Sequence, residues 1–442
     1  MNDSELNMRG YKSENGTFTG NNAEKNDAAT NKPTAGAVKD RVILHSDLNN
    51  FFATVETALN PELKDKCVAV CGSVENRHGI VLAKSEKAKA YGVKTTMTVG
   101  EAKRLCPELI IVKPHYKHYV EYSKKVREIY SRYTDLSEPF GIDESWLDVT
   151  DSFRLGSGKQ IADEIRAAVK SELGLSCSVG VSFNKVFAKL GSDMKKPDAT
   201  TVISRENYKT TVWKLPVENL LYVGKATLKE LNKYNIFTIG DLANAPFDFI
   251  KRKLGKSGEM LHKYANGEDL SPVRNAADER VPESVGNSVT LYRDLKDNNE
   301  VKCVLASLCE RVAERLRKSG AGEATVIAVS VRDGNLKWFS RQEKLPYPTV
   351  LSEDFLKCAY DLFVKNYDWK TPVRSVGVTV SGFSGETEQM SLFKPDEKYA
   401  RKVALENCVG KIREKYGKEG VRRGITMIDD SIMPASREDD DE

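Results

Sequence analysis

Three acids stand where acids are least expected. Asp47 closes the apolar run VILHSDL, and Asp143 and Glu144 lie between Ile142 and the pair Trp146-Leu147. Partly buried carboxylates so placed repel one another unless a cation neutralises them. Hard oxygen ligands select Mg2+ or Mn2+, which commonly bridge to substrate phosphates. Two such ions about 4 Å apart stabilise the attacking and leaving oxygens of a phosphoryl transfer together. Adjacent residues of a regular strand point to opposite faces, so Asp143 and Glu144 share a site only if the chain bends. Gly141, just before them, is the candidate bend. Taken alone, the Asp-Glu dipeptide fits equally well a turn-capping Asp143 beside a solvent-facing Glu144. Asp148, on the same stretch, is read as structural.

Other residues could complete such a site. Phe51 and Phe52 follow Asp47 by four and five positions, as core packing or as a ring pressing on a sugar. In FNKVFAKLGSDMKKPDA, an apolar helix leads to basic residues before Pro197, and Lys195 or Lys196 could hold phosphate charge. Eight cysteines are thinly spread; the closest pair, Cys67 and Cys71, has no second pair nearby. They are read as small buried thiols, with neither a zinc site nor disulfides expected.

These groups must be positioned by a sizeable scaffold. The 442 residues, 40% hydrophobic and 30% charged, fit a globular protein of two to four folded units. No secretory signal or membrane-spanning run is read, so a cytoplasmic protein is expected. The net charge of +4 conceals an asymmetry: residues 1–40 carry −1 and residues 429–442 carry −6, leaving about +11 between them. A basic body suits a polyanionic partner such as nucleic acid.

Residues 1–40, polar and without apolar periodicity, read as a disordered extension. From Arg41, strands alternate with helices to about residue 205, as in an α/β or α+β unit. Short helices fill 210–270, a polar linker covers SPVRNAADERVPESVG, and a small α/β unit runs from about 286 to 384. A polar stretch, a helix near Tyr399–Tyr416 and an acidic tail complete the chain.

Together, HSDLNNFFATVE, YGVKTTM, FGIDESWLDVT, SVGVSFNKVFAKLGSDMKKP, GKATLKELNKYNIFTIGDL and SVGNSVTLYRDL resemble the Y-family DNA polymerases, particularly the bacterial DNA polymerase IV branch, over about residues 41–384. The resemblance implies an α+β multidomain, right-hand polymerase: palm and fingers over 41–205 (fingers about 51–115), a helical thumb with a helix-hairpin-helix over 206–272, a linker over 273–285, a little finger over 286–384 and a tail over 385–442. It implies low-fidelity translesion synthesis on primer-template DNA with deoxynucleoside triphosphates. Asp47, Asp143, Glu144 and the Leu48 carbonyl would hold two Mg2+ ions, with Mn2+ as an alternative. Phe52 would be the gate against ribonucleotides with Phe51 its packing neighbour, and Lys89 and Lys196 would contact the triphosphate. Gly224 and Lys225 would grip a DNA phosphate. Gln389, Leu392 and Phe393 of QMSLF resemble a sliding-clamp binding peptide. A monomer is expected.

The sequence departs from the family pattern at Asn49, where an aspartate is usual, at Glu86 and Lys89, where tyrosine and arginine are usual, and at Tyr222, where glycine is usual. A non-catalytic DNA- and clamp-binding scaffold and a nucleotide cyclase are the competing readings.

Overall fold

The computed structural model describes residues 40–72, 79–278, 281–384, 396–417 and 420–427. The apolar run after Arg41 forms β1 (Ile43–Leu48), and the aromatic pair opens α1 (Phe51–Leu59). A small layer follows: β2 (Val68–Cys71), β3 (Val81–Lys84), α2 (Glu86–Ala90), α3 (Val99–Leu105) and β4 (Ile110–Val112). β2 pairs antiparallel with β3 and parallel with β4, over a cluster that includes Ala69, Val81, Val93 and Ala102. Gly92, at φ 89°, ends the turn after α2, and a Thr98–Glu101 capping box starts α3.

The expected long helix is α4 (Tyr116–Tyr130), followed by β5 (Ser137–Pro139), β6 (Glu144–Asp148), α5 (Gly158–Leu173), β7 (Cys177–Ser182), α6 (Lys185–Met194) and β8 (Thr200–Ile203). They build a five-stranded sheet in the order β5-β6-β1-β7-β8. The first strand thus lies at the centre, antiparallel to both neighbours. Its residues alternate between two layers. Leu44 and Leu48 join Tyr119, Val126, Ile161 and Ile165 of α4 and α5. Ile43 instead packs with Trp146 and with Ala188 of α6. Asp47 shares the α6 side with Ile43.

α6 lies unusually close to the sheet because glycine allows it. A Cβ on Gly180 of β7 would fall 1.8 Å from the Ala188 carbonyl oxygen and 2.5 Å from the Ser192 nitrogen. On the helix side, a Cβ on Gly191 would meet Gly180 Cα at 3.1 Å.

Beyond β8 come α7 (Tyr208–Thr211), α8 (Lys225–Asn232), α9 (Ile239–Asn244) and α10 (Phe247–Ala265), the last broken at Gly255 (φ 63°, ψ −142°). They close over Phe187, Leu231, Ile239 and Leu261. The segment read as a linker is partly anchored: Val273 is buried against Ile43 and Trp146, and Ala276 N donates to the Asp135 carbonyl. The next strand, β9 (Ser284–Leu295), begins two residues earlier than the sequence suggests.

α11 (Asn298–Ser319), β10 (Ala324–Asp333), β11 (Trp338–Thr349), α12 (Ser352–Asn366) and β12 (Val373–Ser381) complete an antiparallel sheet ordered β11-β10-β12-β9. The two helices cover it through Leu305, Cys309, Phe355 and Phe363. α13 (Asp396–Tyr416) is tied to α11 through Arg317–Glu406 at 2.5 Å and Arg413–Glu310 at 3.1 Å. Among the described residues no helix is long and apolar enough to cross a membrane.

The α6–β7 approach predicts that Gly180→Ala destabilises the protein by about 3 kcal/mol or more, the upper end for overpacking. The melting temperature should fall by roughly 6 °C or more. Gly224→Ala, where a Cβ meets nothing within 4 Å, should leave the melting temperature near wild type. Equal melting temperatures for the two variants would contradict the packing account.

Candidate active site

Asp47 of β1 stands directly opposite Glu144 of β6 in the antiparallel register, so both side chains leave the sheet on one face. Asp143 precedes the strand, in the bend that follows Phe140. That bend is closed by Phe140 N donating to the Glu144 carbonyl at 3.0 Å, and Leu48 N holds the Asp143 carbonyl at 3.0 Å. The effect on direction is visible at Gly141. A Cβ there would lie 3.3 Å from Asp143 Oδ1 and 3.8 Å from Glu144 Oε1. Both carboxylates therefore turn toward the same space, and the solvent-facing alternative for Glu144 does not describe this fold.

α6 supplies the opposing charge. Lys185 pairs with Glu138 at 2.7 Å, and Lys189 donates to Glu144. Just past the helix, Lys196 pairs with Asp47 at 2.8 Å and with Asp193 at 2.9 Å. Lys185, Lys189 and Ser192 follow one stripe of α6, and the chain has left the helix before Lys196. Ser192 Oγ lies 2.9 Å from Nδ1 of the fully buried His45, whose Nε2 is 3.3 Å from Glu144 without full hydrogen-bond alignment. Lys189, His45 and Asp193 do not stand out in the chain by type or spacing alone; the i, i+4, i+7 stripe toward an acidic strand end was the available signal.

The electrostatics follow from this layout. Burial, then the neighbouring charges of Asp47 and Glu144, push the Asp143 carboxyl up to about 6. Burial also raises Asp47, more than Lys196 lowers it. Glu144 is buried too, but contacts from His45 and Lys189 outweigh that and pull it down to about 2. Burial lowers His45, so its ring is neutral near pH 7. A half-buried, mutually repelling set of two aspartates and a glutamate, all oxygen donors, fits a hard divalent cation. The lysines hold Asp47 and Glu144 to separate partners, and no set of one oxygen from each of the three carboxylates lies mutually within 4.8 Å.

The remaining candidates fall around this cluster. Phe51 is buried core, whereas Phe52 is only half buried and stacks on Tyr119 at 4.1 Å, with 9° between the rings. Tyr119 is itself anchored by its hydroxyl to the buried Glu56. Asn49 is held by Ser176 and Ser178 at 3.2 and 3.1 Å, giving its amide both a donor and an acceptor role that an aspartate could not fill. Glu86 accepts from Asn50 at 2.7 Å and pairs with Lys89 at 3.4 Å, which ties α2 to the start of α1. Gly224 is the N-cap and Lys225 the first residue of α8, where no side-chain cap hydrogen bond engages the helix start, a kind of terminus suited to an anion. Tyr222 sits in the left-handed region at φ 71°, the conformation a glycine would favour. Gln389, Leu392 and Phe393 lie outside the described residues.

The raised Asp143 has a consequence for metal-free protein. A carboxyl whose folded value of about 6 exceeds its ordinary 3.8 contributes stability below pH 4 that is lost as the pH rises through 6. Asp143→Asn should therefore melt higher than wild type above pH 6 in chelator, and the gap should close toward pH 4. Adding Mg2+ should raise wild type but hardly move the variant. A wild type already the more stable at pH 7 in chelator would contradict this electrostatic account.

Residues 46–193 match the impB/mucB/samB family, and residues 282–392 match the C-terminal domain of the same family. A DNA polymerase IV of Acetivibrio thermocellus is 50% identical over 392 residues, covering 88% of this chain and 98% of that protein. One from Pelotomaculum thermopropionicum is 40% identical over 394 residues, 88% of this chain and 96% of that protein. DNA polymerase IV 1 of Bacillus subtilis is 38% identical over 394 residues, 88% of this chain and 94% of that protein. A solved Y-family DNA polymerase chimera superposes with a TM-score of 0.68 at 24% identity, over 78% of this chain and 100% of that one. The α+β multidomain, right-hand architecture expected from the motifs is thus the observed fold, and the chain belongs to the impB/mucB/samB family, the Y-family DNA polymerases.

Proposed function

We propose that the protein is a template-directed DNA polymerase of low fidelity, adding a deoxynucleoside 5′-monophosphate to a primer 3′-hydroxyl and copying past damaged template. The observation that carries this reading is the cross-strand pair Asp47 and Glu144, joined by Asp143 at the bend and faced by Lys196. Two divalent ions, Mg2+ with Mn2+ as a substitute, held by Asp47, the Leu48 carbonyl, Asp143 and Glu144, would supply charge neutralisation for the attacking oxygen and the departing pyrophosphate.

The protein's own groups set the stage for that transfer. Lys189 and His45 keep Glu144 ionised and aimed. Lys196, beside Asp47 and Asp193, is placed to take triphosphate charge. Phe52, braced by Tyr119 and Glu56, presents a fixed ring against a 2′-hydroxyl. Lys89 offers a point charge rather than the fork of an arginine, and Glu86 partly occupies it. The uncapped N-terminus of α8 at Gly224 and Lys225 suits a duplex phosphate, independent of sequence.

Domain limits at 205, 272 and 285, a sliding-clamp contact through Gln389, Leu392 and Phe393, a monomeric state and a cytoplasmic setting belong to the same proposal. The intact carboxylate set argues against a scaffold without activity. A helical unit and a four-stranded unit beyond the carboxylates argue against a nucleotide cyclase, which has no need to grip DNA.

Primer extension on an undamaged template with Mg2+ tests the reading. Asp143→Ala and Glu144→Ala should each slow incorporation a hundredfold or more, about 3 kcal/mol of barrier. Wild-type protein that binds duplex yet does not extend it would return the scaffold reading. Phe52→Ala should raise ribonucleotide use roughly tenfold or more, a steric discrimination of about 1–3 kcal/mol; unchanged sugar selectivity would remove Phe52 as the gate. Glu86→Gln should free Lys89 and lower the nucleotide KM several-fold at constant kcat, and a raised KM would mean that the Glu86 contact organises the site instead.

A further inference from the structure

Cys67 and Cys71 looked like isolated buried thiols, but the fold gives Cys67 a different neighbour. β2 and β4 run parallel with Val68 opposite Ile110, and Ile110 N donates to the Cys67 carbonyl at 2.9 Å. This draws the segment Cys106-Pro107-Glu108 against the start of β2. Cys106 itself is the C-cap of α3, its nitrogen bonded to the Ala102 carbonyl, and Leu109 N closes the turn on the Cys106 carbonyl. The backbone on both sides is therefore fixed before any ligand arrives.

The Sγ atoms of Cys67 and Cys106 and a carboxylate oxygen of Glu108 all lie within 4.8 Å of one another. Cys67 Sγ is 3.3 Å from Glu108 Oε1. For tetrahedral zinc, bond lengths near 2.3 Å to sulfur and 2.0 Å to oxygen require ligand separations of about 3.5–3.8 Å. The separations here, 3.3 Å for one pair and no more than 4.8 Å for the others, lie around that range. Both cysteines are buried, at 5% and 0% exposure, while Glu108 is exposed.

We infer that Cys67, Cys106 and Glu108 form a structural zinc site that staples the small layer of β2, β3, β4, α2 and α3. Two thiolates exclude Mg2+ and select a borderline or soft metal. The fourth position is left to water. The apolar cluster of this layer is small, and small folded units commonly rely on a metal to supplement a limited core. Its α2 carries Glu86 and Lys89, so a staple here would also steady the groups placed toward the nucleotide. In the empty site burial, then the Glu108 contact, hold the Cys67 thiol up at about 12, and a bound metal must displace that proton.

The test is titration of the reduced, metal-stripped full chain with Co2+, followed by displacement with Zn2+. Carboxylates at the active site give no thiolate-to-cobalt charge-transfer band, so the band reports cysteine ligands, and the Cys67 and Cys106 variants assign it to this cluster. Wild type should develop it with one equivalent of Co2+ and lose it to Zn2+. Cys67→Ser and Cys106→Ser should abolish it, and Glu108→Gln should weaken binding by about tenfold or more, the scale on which even supporting contacts affect metal sites. Cys71→Ser, which alters a buried thiol of the same layer outside the cluster, should retain the band. Circular dichroism checks that each variant remains folded. Absence of the band in reduced wild type, its persistence in folded Cys67→Ser, or a Cys67–Cys106 disulfide with no cobalt binding after reduction would overturn the inference.

Discussion

Like charges crowded at one end of a sheet are the constraint on which the rest of this structure turns. Asp47 and Glu144 face each other across β1 and β6, and Asp143 is bent back toward the same space. Folding such a group costs free energy in proportion to burial and mutual repulsion. The chain offsets part of that cost by running α6 past the sheet, with Lys185 for Glu138 and Lys189 for Glu144 on the helix and Lys196 for Asp47 just beyond it. Asp143 is left without a comparable cation and is the carboxyl pushed highest. It is therefore the group with most to gain from a divalent ion.

That arrangement explains features far from the acids. α6 must approach closely enough for its lysines to reach the strand ends, which is why glycines meet at 180 and 191. β1 must be central, so that acids from two strands converge on one face. The buried His45 and Ser192 fill the gap between helix and sheet with polar contacts, orienting Glu144 without adding a permanent charge. On the proposed reading, affinity for metal and nucleotide arises from an unfavourable charge cluster held together by packing elsewhere, a common pattern at functional sites.

Much of this was legible in the chain. Asp47, at the end of an apolar run, and Asp143-Glu144, after Gly141, are conspicuous because acids there violate the local pattern. The helix ending at Gly320 follows directly from apolar periodicity and a left-handed cap. Long-range pairing was not legible. β5 and β8 are three and four residues long and owe their extended form to neighbours in the sheet. The anchoring of Val273 against Ile43 joins residues more than two hundred positions apart. The Lys189–Glu144 pair needed the helix to be placed before its lysine stripe acquired meaning. Cys67 and Cys106 escaped for the same reason: the cysteine nearest Cys67 in sequence is Cys71, and only the parallel β2–β4 register brings Glu108 and Cys106 alongside.

Anomalous diffraction from crystals grown with primer-template, an incoming nucleotide and Mn2+ tests the central claim most directly. The account predicts manganese peaks bounded by Asp47, Asp143 and Glu144, with the Lys196 ammonium moved from Asp47 onto the triphosphate. Manganese elsewhere, or Lys196 still paired with Asp47 beside a bound nucleotide, would contradict it.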